Sequence, residues 1–106
     1  MVVIIKDTED LKTRLAEAGD KLVIIDFFAT WCGPCKVIAP QFEELSNEFT
    51  DIVFLKVDID ENEEISTEYE ITSMPTFVFI KSGKIVHQFS GASIQKIKDG
   101  IEQHKN

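Results

Sequence analysis

The only two cysteines of the 106-residue sequence, Cys32 and Cys35, are separated by Gly33 and Pro34. A disulfide that closes so short a loop removes only about 2 kcal/mol of unfolded-state entropy in the chain-entropy model, so the pair is a poor structural staple. In a reducing compartment, a Cys-x-x-Cys pair is typical of redox chemistry or of half a metal site. The spacing therefore predicts either thiol–disulfide exchange or metal binding.

Metal binding needs more ligands than the sequence offers near the cysteines. A closed zinc site takes four ligands, whereas the chain has no second cysteine pair and only two histidines, His87 and His104, which are distant in sequence and not at zinc-pair spacing. We expect both histidines on the surface, one on a strand and one at a helix end. Lys36 stands where a c-type haem attachment motif requires His. The sequence thus favours redox chemistry.

The cysteines are predicted to open a helix, because apolar residues recur at steps of three and four after the motif. Cys32 is expected in the N-cap region, where free backbone N–H groups and the positive end of the helix dipole stabilise a thiolate. Cys35, inside the first turn, is expected to be more buried and to stay protonated until a base acts on it. Gly33 allows a target backbone to approach, and Pro34 suits a first helical turn.

One carboxyl group interrupts the most apolar stretch of the chain. The run Lys21–Phe28 predicts a central strand that is buried on both faces. Because side chains alternate along a strand, Asp26 shares its face with Ile24 and Phe28 and is expected to be buried. Burial raises the pKa of a carboxyl group, which is how a general base near neutral pH is made. A structural role, with Asp26 paired to Lys56 on a neighbouring strand, is a compatible alternative.

Hydrophobic periodicity and turn signals give the element order β-α-β-α-β-α-β-β-α. Units that alternate in this way build an α/β fold with a mostly parallel sheet, here with an antiparallel hairpin turning at Ser82 and Gly83. Thr8 is predicted to cap the first helix, and Pro40 to kink the second. The cysteines follow the central strand, at the edge where open α/β sheets place their sites. We expect residues 1–106 to form a single domain.

Charge and hydropathy limit the partners of this chain. It has 11 basic and 19 acidic residues, a formal net charge of -8, which disfavours nucleic acid. Seven of the acidic residues lie between Asp58 and Glu70, with no basic residue among them, and we interpret them as a solvated helix face. The apolar stretches are too short to span a membrane. The N-terminus lacks a basic region typical of a secretory signal, so we expect a cytosolic protein.

Several motifs occur together in the order and spacing of one family. They are Asp26-Phe-Phe-Ala-Thr-Trp-Cys-Gly-Pro-Cys-Lys36, Pro40, Asp58, Met74-Pro-Thr76 and Phe89-Ser-Gly91. Over its whole length the chain resembles the thioredoxin family, and its length and Ser-Met-Pro-Thr segment are similar to the animal cytosolic type. The resemblance implies the thioredoxin fold, a central mixed, mostly parallel sheet flanked by helices on both faces.

The resemblance also implies a mechanism, that of a protein-disulfide reductase. In it, Cys32 attacks a disulfide of a target protein and Cys35 displaces the released target thiol. Asp26 lies behind the cysteines and assists proton transfer. Trp31 forms a flat surface beside the site. A cis peptide bond at Met74–Pro75 presents the backbone that pairs with an extended target peptide.

The partners that the resemblance implies are disulfide-containing proteins and a flavoprotein thioredoxin reductase. It implies no bound cofactor, because electrons come from NADPH through that reductase, and it implies a monomer. Gly33 and Pro34 between the cysteines are similar to the reducing branch rather than to disulfide isomerases or oxidases. A redox-gated module that binds a partner without turnover is an alternative. Ser73 stands where animal members often carry a further cysteine, so regulation by extra cysteines is not implied.

Overall fold

Five strands and four helices alternate along the chain in the computed structural model, which describes residues 1–106. The predicted order of elements is confirmed. In chain order the elements are β1 (Val3–Ile4), α1 (Thr8–Ala18), β2 (Val23–Phe28), α2 (Gly33–Glu48), β3 (Val53–Asp58), α3 (Glu63–Glu68), β4 (Thr76–Lys81), β5 (Lys84–Ser90) and α4 (Ile94–His104).

The sheet has the strand order β1-β3-β2-β4-β5, so β2 is central as predicted. β3 pairs in parallel with both β1 and β2, whereas β4 is antiparallel to β2 and to β5. Because β4 runs against β2, its first residue, Thr76, lies opposite Phe27 near the end of β2. This pairing brings the segment before β4 next to the segment after β2, which carries the cysteines.

The strand β2 is buried on both faces because each face lies under a pair of helices. Its residues Val23, Ile25 and Phe27 belong to an apolar cluster with residues of α1 and α3. On the opposite face, Ile24 packs in a second cluster with residues of α2 and α4. Alternation along the strand puts Asp26 on this second face, as predicted. The carboxyl group therefore lies on the side of the sheet that α2 covers.

Two helix predictions have different outcomes. The residue that caps α1 is Asp7 and not Thr8: the Asp7 side chain accepts a hydrogen bond from the Asp10 backbone N–H at 2.7 Å. Thr8 is already helical, and its hydroxyl donates to Glu64 instead. Both residue types make good caps, so the sequence alone did not separate them. α2 continues through Pro40 to Glu48, and the kink there stays a prediction.

The two histidines lie on a strand, β5, and at the end of a helix, α4, as predicted, and both are half-buried rather than fully exposed. Their rings stack on each other with centroids 5.6 Å apart, and the His87 ring also packs against Phe79 at 5.3 Å. This contact joins the sheet to α4, where Gly100 faces the Phe79 ring. The histidines therefore help to pack α4 on the sheet. None of the four helices is both long and apolar enough to cross a bilayer.

Candidate active site

The two cysteines form a disulfide at the beginning of α2, with their Cα atoms 5.3 Å apart. Cys32 is the N-cap residue, in an extended conformation with φ -91° and ψ 112°. Its Sγ accepts a hydrogen bond from the backbone N–H of Cys35 at 3.2 Å. The predicted position of Cys32 at the helix N-terminus is confirmed. A backbone donor that points at Sγ stabilises negative charge there once the disulfide is reduced.

Burial hardly distinguishes the two cysteines. Cys32 is 6% exposed and Cys35 is 4% exposed, so the expected difference is small. The cause is the disulfide itself, which holds both sulfurs against Ala29, with Ile59 and Met74 packed around them. Access to the disulfide is therefore limited to its outer side, where Gly33 and Pro34 are exposed.

The segment before β4 lies against the disulfide. The Met74–Pro75 peptide bond is cis, as the resemblance implied. The Met74 carbonyl oxygen is 3.7 Å from Cys32 Sγ. Pro75 is buried and Met74 is half-buried. The turn is held by the Thr76 hydroxyl, which donates to the Ser73 carbonyl at 2.6 Å. A short stretch of ordered backbone is thus available beside the reactive sulfur.

Asp26 has the most perturbed carboxyl group near the site. It is 2% exposed, and no protein group donates a hydrogen bond to its Oδ1. Burial raises the pKa of Asp26 from its ordinary value of 3.8 to about 7, and the positive charge of Lys56 opposes part of that rise. Near neutral pH, a group with this pKa exists in both protonation states and can accept or donate a proton.

A cavity of about 220 Å³ lies between this carboxyl group and Cys35, because Asp26, Cys35 and Lys56 all contribute to its wall. A space of this size is large enough to hold water. Lys56 lies opposite Asp26 in the β2–β3 register, but the two form no ion pair within 4.0 Å. Its Nζ lies 4.5 Å from the centroid of the Phe28 ring. The structure therefore does not contain the ion pair of the structural alternative.

Trp31 lies on the surface next to the disulfide and is 65% exposed. Its indole N–H donates a hydrogen bond to Oδ2 of Asp60 at 2.9 Å. Sequence reasoning placed Asp60 only among the acidic residues of a solvated segment and missed this contact. The two residues are 29 positions apart, on loops that follow different strands, so no local spacing signals the pair.

The side chains around the disulfide are suited to thiol–disulfide exchange. The site combines two cysteines at a helix N-terminus, a backbone segment beside Cys32 Sγ and a carboxyl group whose pKa lies near neutral. No group of three or more His, Cys, Asp or Glu side chains in the structure is arranged to hold a metal ion. The fold and the site define a dithiol–disulfide oxidoreductase. The thioredoxin family model matches residues 2–103, and the chain belongs to that family.

Individual relatives agree with this assignment. The chain is 50% identical over 105 residues to thioredoxin-T of Drosophila melanogaster, an alignment that covers 98% of this chain and 67% of the relative. It is 45% identical over 104 residues to thioredoxin of Mus musculus, covering 98% and 99% of the two chains. The X-ray structure of Fasciola hepatica thioredoxin superposes with a TM-score of 0.95 at 47% identity, covering 97% of this chain and 99% of the other.

These findings establish the activity at the level of reaction class. The protein is a protein-disulfide reductase of the thioredoxin type that works through a redox-active cysteine pair. Thioredoxins need no bound cofactor, since the electrons are carried by the two cysteine sulfurs themselves. The established fold is the thioredoxin fold, with five strands in a mixed sheet and four helices.

Proposed function

We propose that Cys32 is the nucleophile that attacks the disulfide of a target protein. The hydrogen bond from the Cys35 backbone N–H to Cys32 Sγ carries this proposal, because only the sulfur at the N-cap receives it. The Cys32 thiolate forms a bond to one target sulfur, and the target disulfide breaks. Its second sulfur leaves as a thiolate. The product is a mixed disulfide between Cys32 and the target.

In the second step, Cys35 resolves the mixed disulfide. Asp26 takes the proton of the Cys35 thiol by way of the shared cavity, and the Cys35 thiolate attacks Cys32 Sγ. The bond between Cys32 and the target breaks, and the proton goes to a departing target thiolate. The target gains two electrons and the cysteine pair loses two. A carboxyl group with a pKa of about 7 is suited to both the acceptance and the release of this proton.

The exposed surface around the disulfide binds the target. Trp31 offers a flat apolar face, and Gly33 and Pro34 leave the approach to Cys32 free of large side chains. Opposite them, the Met74–Pro75 segment supplies backbone for β-type pairing with an extended target peptide. Lys56 serves the site indirectly, by lowering the pKa of Asp26 against the effect of burial.

A flavoprotein thioredoxin reductase returns the oxidised cysteine pair to the dithiol form with electrons from NADPH. We place this cycle in the cytosol, where a reducing environment supports a dithiol. The protein acts as a monomer, with residues 1–106 as one domain, and its net charge of -8 makes proteins rather than nucleic acids its partners. One unfolding transition, coincident by fluorescence and by circular dichroism, is the expected behaviour of such a domain.

Catalytic reduction of insulin tests the proposal directly. With NADPH and thioredoxin reductase in the assay, a small amount of the protein is expected to reduce many equivalents of insulin, and NADPH consumption is the measurement. The Cys35→Ser variant is the matched control and is expected to give no turnover. Reduction that stops after one equivalent would favour the redox-gated binding module, because a binder has no means of release and reset.

A further inference from the structure

The indole of Trp31 has a single polar group, and the structure gives that group one partner. The Nε1–H donates to Asp60 Oδ2 at 2.9 Å although the side chain is 65% exposed. An exposed indole without such a partner samples several rotamers on the picosecond to nanosecond timescale. A hydrogen bond to a charged carboxylate is among the stronger ones that a side chain makes. Asp60 is therefore the contact that restricts this ring.

Asp60 itself is held by the short loop that follows β3. Its backbone N–H donates to Oδ1 of Asp58 at 2.9 Å. The carbonyl oxygen of Asp58 in turn accepts a hydrogen bond at 3.2 Å from the side-chain amide of Asn62, which is only 8% exposed. The backbone N–H of Ile59 donates to the carbonyl oxygen of Phe28 at the end of β2, at 3.0 Å. The loop is thus tied to both the sheet and the start of α3.

From these contacts we propose that Asp60 is a positioning residue that fixes the Trp31 indole as one wall of the target-binding surface. The inference rests on the proposed role of Trp31 in target binding. A wall that is already ordered loses less conformational entropy when a protein target binds. The effect is specific to targets large enough to contact the indole. A small disulfide that reaches only the sulfurs does not benefit from it.

The ordering of the ring can be measured in isolation, because Trp31 is the only tryptophan of the chain. Time-resolved fluorescence anisotropy therefore reports this one side chain. Asp60→Ala is expected to add a fast local motion of the indole that the parent lacks. Asp60→Asn keeps an oxygen that accepts the indole N–H and is expected to resemble the parent. Glu61→Ala is the matched control, since Glu61 is an exposed acidic residue of the same loop and the indole N–H donates to Asp60 instead.

Activity is measured on two substrates, insulin and cystine, with thioredoxin reductase and NADPH. Asp60→Ala is expected to raise the KM for insulin severalfold, with kcat and the rate of cystine reduction near the parent values. Asp60→Asn is expected to restore the parent KM, and Glu61→Ala is expected to keep it. Both variants of Asp60 lack its negative charge, and only Asp60→Asn keeps a hydrogen-bond acceptor. A KM that rises in Asp60→Ala and returns to the parent value in Asp60→Asn therefore reports loss of the hydrogen bond.

Three results would overturn the proposal. Parent-like anisotropy in Asp60→Ala would show that another contact holds the ring. An equal loss with insulin and cystine would place the role of Asp60 in the sulfur chemistry rather than in target binding. Equal KM values for Asp60→Asn and Asp60→Ala would assign the effect to charge. Failure of the proposed function is distinguishable, because the parent itself would then not turn over insulin, while the anisotropy would still decide whether Asp60 holds the indole.

Discussion

At Asp26, two opposing effects act on one carboxyl group, and burial is the larger. Removal from water disfavours the charged form, whereas Lys56, opposite in the register, favours it. Because Lys56 forms no ion pair with Asp26 within 4.0 Å, its positive charge lowers the pKa by less than burial raises it. A charge partner at a distance recovers only part of the lost hydration. The carboxyl group is therefore costly to the fold near neutral pH and available for proton transfer.

Because an ionised carboxylate is costly at this buried position, we predict that Asp26→Asn is more stable than the parent at pH 8. The folded pKa of Asp26, about 7, lies above the ordinary value of 3.8, so between those pH values the folded state binds more protons than the unfolded state. Stability of the parent consequently falls as pH rises through that window. The advantage of the amide is expected to be on the order of 4 kcal/mol at pH 8 and to shrink toward zero near pH 4. Urea unfolding of both proteins across this range measures it.

The same variant is expected to resolve the mixed disulfide more slowly, because the amide cannot accept the Cys35 proton. Single-turnover reduction of insulin at pH 7 measures this step. Asp20→Asn, on the exposed turn before β2, is a control for the loss of one negative charge. An amide variant that is less stable than the parent at pH 8, or equally fast in single turnover, would contradict the role assigned to Asp26.

The assignment of the nucleophile predicts unequal trapping by two serine variants. Cys35→Ser keeps the sulfur that attacks and loses the sulfur that resolves, so it is expected to accumulate a covalent mixed disulfide with a target. Cys32→Ser is expected to trap little, because the remaining thiol lies inside the first turn of α2 and lacks the backbone hydrogen bond that Cys32 Sγ receives at the N-cap. Non-reducing electrophoresis after incubation with oxidised insulin detects the adduct. Equal trapping by both variants would mean that either sulfur can attack.

The burial of Asp26 was predictable from the sequence, because alternation along a strand places its neighbours with certainty once the strand is assigned. The contact between Trp31 and Asp60 was not predictable. It depends on where two loops meet after the strands have paired, and nothing in either loop encodes the position of the other. The stacking of the two histidines was missed for the same reason: His87 and His104 meet because β5 and α4 are neighbours in space.

At the scale of elements, the contact between α4 and the sheet depends on a glycine. Gly100 is buried, and a Cβ at this position would lie 2.6 Å from Cζ of Phe79, a ring that is 0% exposed. Gly100→Ala is therefore expected to destabilise the protein. Overpacking costs about 1–3 kcal/mol in a well-packed core, and this exceeds the gain of about 1 kcal/mol in helix propensity. Thermal unfolding followed by circular dichroism measures the net change.

A second substitution in α4 separates packing from propensity. Gln103 is exposed on the same helix, so Gln103→Ala changes the propensity slightly and adds no atom against the Phe79 ring. It is expected to leave the stability within about 0.5 kcal/mol of the parent. A Gly100→Ala protein as stable as the parent would show that the Phe79 ring can move aside without loss of packing.

The sequence predicted the elements better than it predicted their arrangement. Periodicity and turn residues identified every strand and helix in order, since both signals are local. The order of strands in the sheet is not encoded by local signals. Here β4 lies between β2 and β5 and pairs with both. This order places the Met74 carbonyl oxygen 3.7 Å from Cys32 Sγ. Before the sheet was known, that proximity rested on the family resemblance alone.

At the scale of the whole molecule, negative charge is concentrated in one segment of the chain, Asp58 to Glu70. Six of the seven acidic residues between Asp58 and Glu70 are exposed, as predicted, but only Glu63, Glu64 and Glu68 lie on a helix, so the prediction of one solvated helix face is only partly right. Glu63 and Glu64 lie in the first turn of α3, where the helix dipole favours them. The segment begins at the loop that contacts Trp31. The acidic segment therefore begins beside Trp31, at the edge of the proposed target-binding surface.

The whole chain has no thiol beyond the active-site pair, and this limits what an oxidant can produce. Both cysteines are joined in the disulfide, and none is left free. Peroxide oxidises the Cys32 thiolate to a sulfenic acid, and the neighbouring Cys35 thiol then displaces water to form the internal disulfide.

We expect the reduced protein treated with peroxide to remain a monomer on non-reducing electrophoresis. In the Cys35→Ser control, the sulfenic acid has no internal thiol and is expected to yield a covalent dimer with a second molecule. A strong dimer band from the intact protein, reversed by dithiothreitol, would show that the pair is open to intermolecular bonding.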